Sequence, residues 1–266
     1  MPANSRPTAL ITGASSGIGE ALAHCFAAAQ HDLILVARSA DKLRVLARQL
    51  EEQHGVLASV MPADLTQPDA TAGLSAALQR KRRVPDVLVN CAGVLQQQAF
   101  ADMPPQAHQG IIDLNISALT ALLAHLLPAM LRRGSGRILN VASIAAFQPI
   151  PRLATYAASK AYVLSLTESL SEELRGSGIT VTALCPGITA TNMLATAAQA
   201  NAQLGKLPAF LVGKVGDVAR QGFEACMRGD VVCVPGVVNR AAALASRSTP
   251  KWLLRRVGGM LARRAG

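Results

Sequence analysis

From Val237 to Gly266 the chain carries no acidic residue, against seven basic ones (Arg240, Arg247, Lys251, Arg255, Arg256, Arg263 and Arg264). The formal charge is +10, so the 236 residues before this segment hold only +3 of it. A basic patch can serve nucleic acid. No helix-turn-helix, zinc finger or aromatic-studded basic groove accompanies this one, and aromatic residues are only 3% of the chain, so no nucleic-acid partner is expected. No metal site is expected either. The five cysteines (Cys25, Cys91, Cys185, Cys226, Cys233) are odd in number and scattered, without a CxxC or a histidine at zinc spacing. Four of the five sit in apolar stretches, where a thiol behaves as a small hydrophobe, and a reduced, cytoplasmic setting follows. No apolar run approaches the ~20 residues of a membrane span. The opening MPANSRPTALITG has no basic n-region before an apolar h-region, so no signal peptide is expected. A Pro/Gly/Ser-rich linker, a low-complexity block and a fixed-period repeat are all missing. What remains is the size of one α/β domain.

Half of the chain is apolar, ample for a sheet buried on both faces. Short apolar runs alternate with longer helical patterns, as in βαβ units around a parallel sheet. Strands are predicted at Ala9–Thr12, Asp32–Ala37, Val56–Met61, Val87–Asn90, Gly136–Val141, Ile179–Cys185 and Val231–Val234. Helices are predicted near Gly19–Gln30, Ala40–His54, Pro68–Arg80, Pro105–Arg132, Thr155–Arg175 and Asp217–Arg228. Runs such as LILVA and DVLVN lack alternation, as strands covered on both sides do. The fold class is therefore α/β: a doubly wound, Rossmann-type sheet of seven parallel strands with helices on both faces. Ligands bind such a sheet at the carboxyl ends of its strands, where the winding reverses. The Ala-rich, apolar stretch Thr189–Lys214 breaks the alternation. It reads either as a substrate lid at a strand end or as a helical excursion packed on the core.

The first strand runs into Thr12-Gly13-Ala14-Ser15-Ser16-Gly17-Ile18-Gly19 before a helix begins. Glycines there allow a tight turn and close approach of backbone to a pyrophosphate. The helix start adds unpaired N–H groups and the positive end of a dipole. TGASSGIG resembles the TGxxxGxG cofactor motif of the short-chain dehydrogenase/reductase superfamily, and further landmarks follow in order. Asn90-Cys91-Ala92-Gly93 is similar to the family's NNAG segment, with cysteine in place of the second asparagine. Asn115 stands at the helix asparagine of the family's proton relay, and Ser143 lies thirteen residues before Tyr156. Tyr156-Ala157-Ala158-Ser159-Lys160 matches YxxxK, and Pro186-Gly187-Ile188 with Thr191 matches PGxxxT. The resemblance covers roughly residues 8 to 192.

Tyr156 and Lys160 are i and i+4 on a helix, so they project from one face. A free phenol has a pKa near ~10, and exchange of protons at neutral pH calls for a lower value. A nearby ammonium and the positive ring of an oxidised nicotinamide both favour the phenolate. Ser143, at a strand end, is placed to donate to a carbonyl oxygen becoming an alkoxide. The resemblance implies that Lys160 also holds the nicotinamide ribose, and that Asn115 anchors a water linking Lys160 to solvent. It implies Asn115, Ser143, Tyr156 and Lys160 as the catalytic set. It further implies cofactor contacts from Gly13, Ser15, Ser16, Gly17, Ile18, Gly19, Asn90, Ala92, Gly93, Pro186, Gly187, Ile188 and Thr191, together with Tyr156 and Lys160.

Strand two ends in Arg38-Ser39. An acidic residue there would read a ribose 2′-OH, whereas a basic one accommodates a 2′-phosphate, and Arg38 can grip it bidentately. Asp41 reads as the opening of the next helix. Asp64-Leu65 resembles the family's adenine-contacting pair. NADP(H) is the expected cofactor. The expected activity is interconversion of an alcohol and a ketone or aldehyde. Its walls, by resemblance Val94–Gln97, Ile144–Leu153 and Ile188–Leu211, are largely uncharged, which points to an apolar carbonyl substrate. Arg152 is read as a solvated loop residue. A non-catalytic NADP(H) sensor on the same fold is the alternative. Residues 1–236 form the expected catalytic domain, with 189–214 as lid, and 237–266 a basic extension. Trp252, Leu253, Leu254, Val257, Met260 and Leu261 give that extension an amphipathic helix after Pro250. Its apolar stripe docks on the domain or a second subunit, or else lies on an anionic membrane. A homodimer or homotetramer is expected from the resemblance.

Overall fold

The computed structural model describes residues 6–81, 83–190, 212–248 and 256. Its strands are β1 (Thr8–Thr12), β2 (Asp32–Ala37), β3 (Ala58–Pro62), β4 (Val87–Asn90), β5 (Gly136–Val141), β6 (Ile179–Leu184) and β7 (Val232–Cys233). They form one seven-stranded sheet in the order β3-β2-β1-β4-β5-β6-β7, with every pairing parallel. The order reverses between β1 and β4, so the crevice at their carboxyl ends is the expected ligand site.

The described helices are α1 (Gly17–Ala28), α2 (Ala40–His54), α3 (Ala70–Arg80), α4 (Pro105–Ile112), α5 (Ala118–Arg133), α6 (Ala154–Glu173), α7 (Val215–Arg228) and α8 (Val237–Ser248). Successive strand residues face opposite layers. Ala9, Ile11, Leu33, Leu35, Val87 and Val89 pack with α1, α2 and α7 on one face. Leu10, Ile34, Val36, Leu88, Ile138 and Val181 pack with α3, α5 and α6 on the other. Continuous apolar runs in the central strands are the result, since both of their faces are covered.

Three elements differ from the sequence expectation. The helix from Pro105 is not continuous α: a π turn, Asp113–Ser117, joins α4 to α5, and such turns are frequent at functional sites. The composite helix Pro105–Arg133 is, by length and composition, long and apolar enough to cross a membrane. Residues such as Asp113 and Asn115 break it into shorter apolar runs, and its Leu119, Leu122, Leu123, Leu126 and Met130 are buried in the fold. The second difference is α8, which the sequence reading left without a helix. Its inward positions are Asn239, Ala243 and Ser246 rather than large apolar residues, so no hydrophobic period announces it. The third is β7, cut to two residues. The helix expected after Pro250 lies outside the described residues except for Arg256, which is helical and exposed.

Candidate active site

The turn after β1 is shaped by what sits opposite it. Gly13 has φ +68°, and a Cβ there would stand 2.9 Å from the backbone N and Cα of Ala92. Any side chain would therefore strike the segment that follows β4. Thr12 binds the two segments together: its hydroxyl accepts from the N–H groups of Cys91 (3.0 Å) and Ala92 (3.1 Å) and donates to the Val89 carbonyl (3.3 Å). Ser16 precedes α1 in extended backbone and makes no side-chain cap. The first N–H groups of α1 are thus left for an anion, as the helix dipole also favours. An open cavity of about 400 Å³ borders Ser16, Gly17, Glu20 and Ala190. A backbone cradle, an uncapped helix start and adjoining space together fit a dinucleotide pyrophosphate.

At the end of β2, Arg38 and Ser39 are exposed. Asp64 lies near enough to Arg38 to feel its charge. Hydrogen bonds from the Thr66 hydroxyl (2.8 Å) and N–H (3.1 Å) hold the Asp64 carboxyl below its ordinary range, and Arg38 adds to this. Asp41 sits in the first turn of α2 and pairs with Arg44 at 2.6 Å, in keeping with its reading as the start of that helix.

The proposed proton-transfer residues converge on α6. Tyr156 and Lys160 are 8% and 6% exposed, on the face of α6 that also buries Val163 and Thr167. Lys160 Nζ stands 5.8 Å from the Tyr156 ring centroid and donates to the Val141 carbonyl at 2.9 Å. Ser143, just past β5, accepts from the Ala145 N–H at 3.1 Å. Its own hydrogen is therefore available to donate, and its hydroxyl is a hydrogen-bond partner of Tyr156. Asn115, in the π turn, accepts from the Val94 N–H (2.9 Å) and donates to the Val94 carbonyl (3.0 Å) and the Ser159 hydroxyl (3.0 Å). Gly93 lies between them: a Cβ there would be 3.2 Å from Asn115 Oδ1 and 3.4 Å from Lys160 Nζ.

One expectation needs correction. The Lys160 ammonium was expected to pull the phenol of Tyr156 down, yet burial raises that phenol above its ordinary value of 10.0, and the Ser143 hydrogen bond offsets this only in part. The cause is geometric: the ammonium is turned to the Val141 carbonyl and is itself depressed to about 8, chiefly by burial. Both amide hydrogens of Asn115 are engaged, so a relay water there would meet an oxygen of this residue.

The apolar walls also assemble. Leu95, Ile150 and Leu153 pack against Ala145, Tyr156 and Ala157. The Gln98 N–H donates to the Arg152 carbonyl at 3.0 Å, joining the two wall loops, while Arg152 itself is exposed. The stretch from Thr189 departs and returns as a closed stem, with Thr189 bridged to Gly213. The Gly213 N–H donates to the Ile188 carbonyl at 2.8 Å. Thr191 and lid residues 191–211 lie outside the described residues.

Sequence reasoning missed several residues that hold the site in place. Ser159 connects Asn115 to the Tyr156 carbonyl (2.7 Å). Asn140 accepts from Asn90 (2.9 Å), itself a candidate from the sequence, and donates to Thr167 (3.0 Å), a buried chain linking β4 and β5 to α6. His108 is 2.6 Å from the Thr155 hydroxyl and 3.2 Å from the Phe100 carbonyl, one residue before Tyr156. Polar residues inside apolar runs, such as Asn140 in GRILNV, were the available signal.

The comparisons with known proteins agree with this architecture. A family model described as short chain dehydrogenase matches residues 7–202. The 2-dehydro-3-deoxy-D-gluconate 5-dehydrogenase of Bacillus subtilis is 35% identical over 184 residues, 69% of this chain and 71% of the relative. A short-chain dehydrogenase from Sphingobium yanoikuyae, solved in complex with NADPH, superposes with a TM-score of 0.80 at 36% identity, covering 90% of this chain and 92% of that one. The bulky-bulky ketone specific alcohol dehydrogenase from Comamonas testosteroni follows at 0.77 and 31%, covering 93% and 96%. A glycine turn between β1 and α1, a buried Tyr–Lys pair on α6 and a match over most of the chain lead to one assignment: the protein belongs to the short-chain dehydrogenase family and is an oxidoreductase.

Proposed function

We propose that the protein is an NADP(H)-dependent oxidoreductase that interconverts an alcohol and an apolar ketone or aldehyde, with Tyr156 as the proton donor in reduction. The observation that carries this is the cluster of buried Tyr156, Lys160 and Asn115 with half-buried Ser143, beside the segment that packs on the glycine turn. Gly13, Ser15, Ser16, Gly17, Ile18 and Gly19 would hold the pyrophosphate. Asn90, Ala92 and Gly93 would line the path beyond it, Asp64 and Leu65 would flank the adenine, and Pro186, Gly187 and Ile188, with Thr191, would meet the nicotinamide end. Arg38 and Ser39, exposed at the end of β2 with a basic rather than an acidic residue at the position that reads the ribose, favour a 2′-phosphate.

The bound cofactor supplies the hydride. Lys160 has three hydrogens and gives one to Val141, which leaves two for ribose hydroxyls and for charge beside the phenol. Ser143 donates to the substrate oxygen as negative charge develops there. Tyr156, kept neutral by burial, then gives its proton to that oxygen. Asn115 acts from the π turn, tying Val94 to Ser159, the residue before Lys160.

The substrate class rests on the wall of Leu95, Ile150 and Leu153 beside Tyr156. The relatives include a sugar-acid dehydrogenase and a bulky-ketone dehydrogenase, and an apolar wall fits the second chemistry. No disulfide joins the five cysteines, which supports a reducing, cytoplasmic setting. NADPH oxidation should be followed with apolar ketones beside phosphorylated sugars. Turnover of the ketones is expected, and turnover of the sugars alone would overturn the substrate class.

A further inference from the structure

After β7 the chain enters α8, which turns an unusual face inward. Asn239, Ala243 and Ser246 share one side of the helix and are half-buried, buried and half-buried, whereas Val237, Val238 and Leu244 are exposed. A helix seated by small and polar residues is held by particular contacts rather than by bulk hydrophobic burial. Two such contacts reach the active site. The Asn239 amide lies directly over Gly187, so that a Cβ at Gly187 would be 2.6 Å from Asn239 Cγ, and Asn239 Nδ2 is fixed by the Pro235 carbonyl at 2.8 Å. At the other end, the Ser246 hydroxyl is 2.9 Å from the Ala242 carbonyl and 3.3 Å from the Gln148 amide oxygen. A hydroxyl has one hydrogen. With that hydrogen given to Ala242, Ser246 accepts from Gln148 once the Gln148 amide is turned, and the two amide orientations are not distinguished by position alone.

The two loops reached in this way are the ones that leave β5 and β6. One carries Ser143 and the turn Ile144–Phe147, against which α8 packs. The other carries Pro186, Gly187 and Ile188. They are joined to each other by the Ile144 N–H donating to the Pro186 carbonyl at 2.9 Å. Asn239, Ser246 and the Ile144–Pro186 bond thus form a triangle around the exit of β5 and β6.

We infer that α8 is a built-in wall of the active site, in which Asn239 positions the nicotinamide-side loop through Gly187 and Ser246 positions the substrate wall through Gln148. The helix thereby governs cofactor hold and carbonyl selectivity. It rests on the proposed function for the nicotinamide-side place of Gly187 and for the selectivity readout, whereas the contact between Asn239 and Gly187 stands on the geometry.

The contact over Gly187 is tested by a rescue. Gly187→Ala should weaken NADPH binding about fivefold or more and lower the melting temperature, because the new methyl displaces Asn239. Asn239→Ala in the same chain should remove the collision and bring both values back to those of Asn239→Ala alone. Equal losses from Gly187→Ala in both backgrounds would overturn the inference, whether read by binding or by melting. If Gly187→Ala does not fold, folding of the double variant supports the contact and its failure to fold counts against it. Ser246→Ala should change the ratio of kcat/KM for cyclohexanone over a diaryl ketone about threefold or more, as loss of one hydrogen bond allows. An unchanged ratio would remove Ser246 from the inference. Wild-type protein that binds NADPH but reduces neither ketone would defeat the proposed substrate class instead, and leave the Gly187 rescue to decide the role of α8.

Discussion

The two cations proposed for the two ends of the cofactor site are built in opposite ways. Arg38, at the end of β2, is exposed and has Ser39 and Asp64 for company. Lys160, on α6, is 6% exposed, depressed to about 8 by burial, and bonded to Val141. An exposed guanidinium chooses among ligands through geometry and remains screened by salt. A buried ammonium acts at short range in a low dielectric, and the fold bears the cost of keeping it there. On the proposed function, selection of the cofactor rests on a replaceable surface group, whereas proton transfer rests on a buried one.

The largest test of that contrast removes the proposed proton donor. Tyr156→Phe should lower kcat by about 10²–10⁴, the usual worth of a general acid. NADPH binding should persist, since the ring and its packing against Ala145 and Leu153 remain. Fluorescence titration beside steady-state kinetics separates the two. Activity within tenfold of wild type would place the proton elsewhere.

Lys160 gives the next effect, read in stability. Below pH 8 the ammonium is charged in both states, and the folded chain carries the full burial cost. Between about 8 and 10.5 the unfolded chain binds a proton that the folded one does not. Stability attributable to Lys160 therefore rises with pH through that window and is level above it. A shift of this size corresponds to roughly 3 kcal/mol. Cys91 and Cys226, held up at about 12 from 9.0 by burial, pull the other way: their contribution falls as pH climbs above 9.0. The informative quantity is thus wild type minus Lys160→Met in cofactor-free denaturation at several pH values. A difference independent of pH would show that Lys160 is not the buried cation described.

The contrast also explains what could be read in advance. The glycine turn, Arg38, Ser143, Tyr156 and Lys160 were legible because each is a short local pattern, and the parallel sheet was legible from unbroken apolar runs. The direction of the Tyr156 shift was not. Spacing of i and i+4 shows that two side chains share a face, but not that one of them is turned to a carbonyl nineteen positions away. Ser159, Asn140 and Thr167 act on partners 44, 50 and 27 residues distant, and no local pattern encodes such pairs. The helix α8 escaped because its inward face is Asn239, Ala243 and Ser246. Its role was written in fit rather than in hydrophobicity.

At the exposed end, Arg38→Ala should raise the Kd for NADPH about 10–100-fold, the range of a lost charge-assisted hydrogen bond. NADH, which has no 2′-phosphate, should be held about equally by wild type and variant. Tighter binding of NADH than NADPH by the wild type would overturn the cofactor assignment itself.

The smallest effect is the sharpest test of exposure against burial. Screening length falls from about 10 Å at 0.1 M salt to about 3 Å at 1 M. An exposed Arg38 should then lose part of its hold on a phosphate, so wild-type affinity for NADPH should drop a few-fold across that range. The Arg38→Ala variant should lose much less, because what remains is the backbone cradle at Gly13 and the uncapped start of α1, where short hydrogen bonds rather than long-range field do the holding. NADH should follow the variant in either protein. Isothermal titration at the two salt concentrations supplies all four comparisons. An equal salt loss for NADPH in wild type and variant would mean that the salt-sensitive contact is not Arg38, and the division between a screened selecting cation and a shielded proton-transfer cation would have to be redrawn.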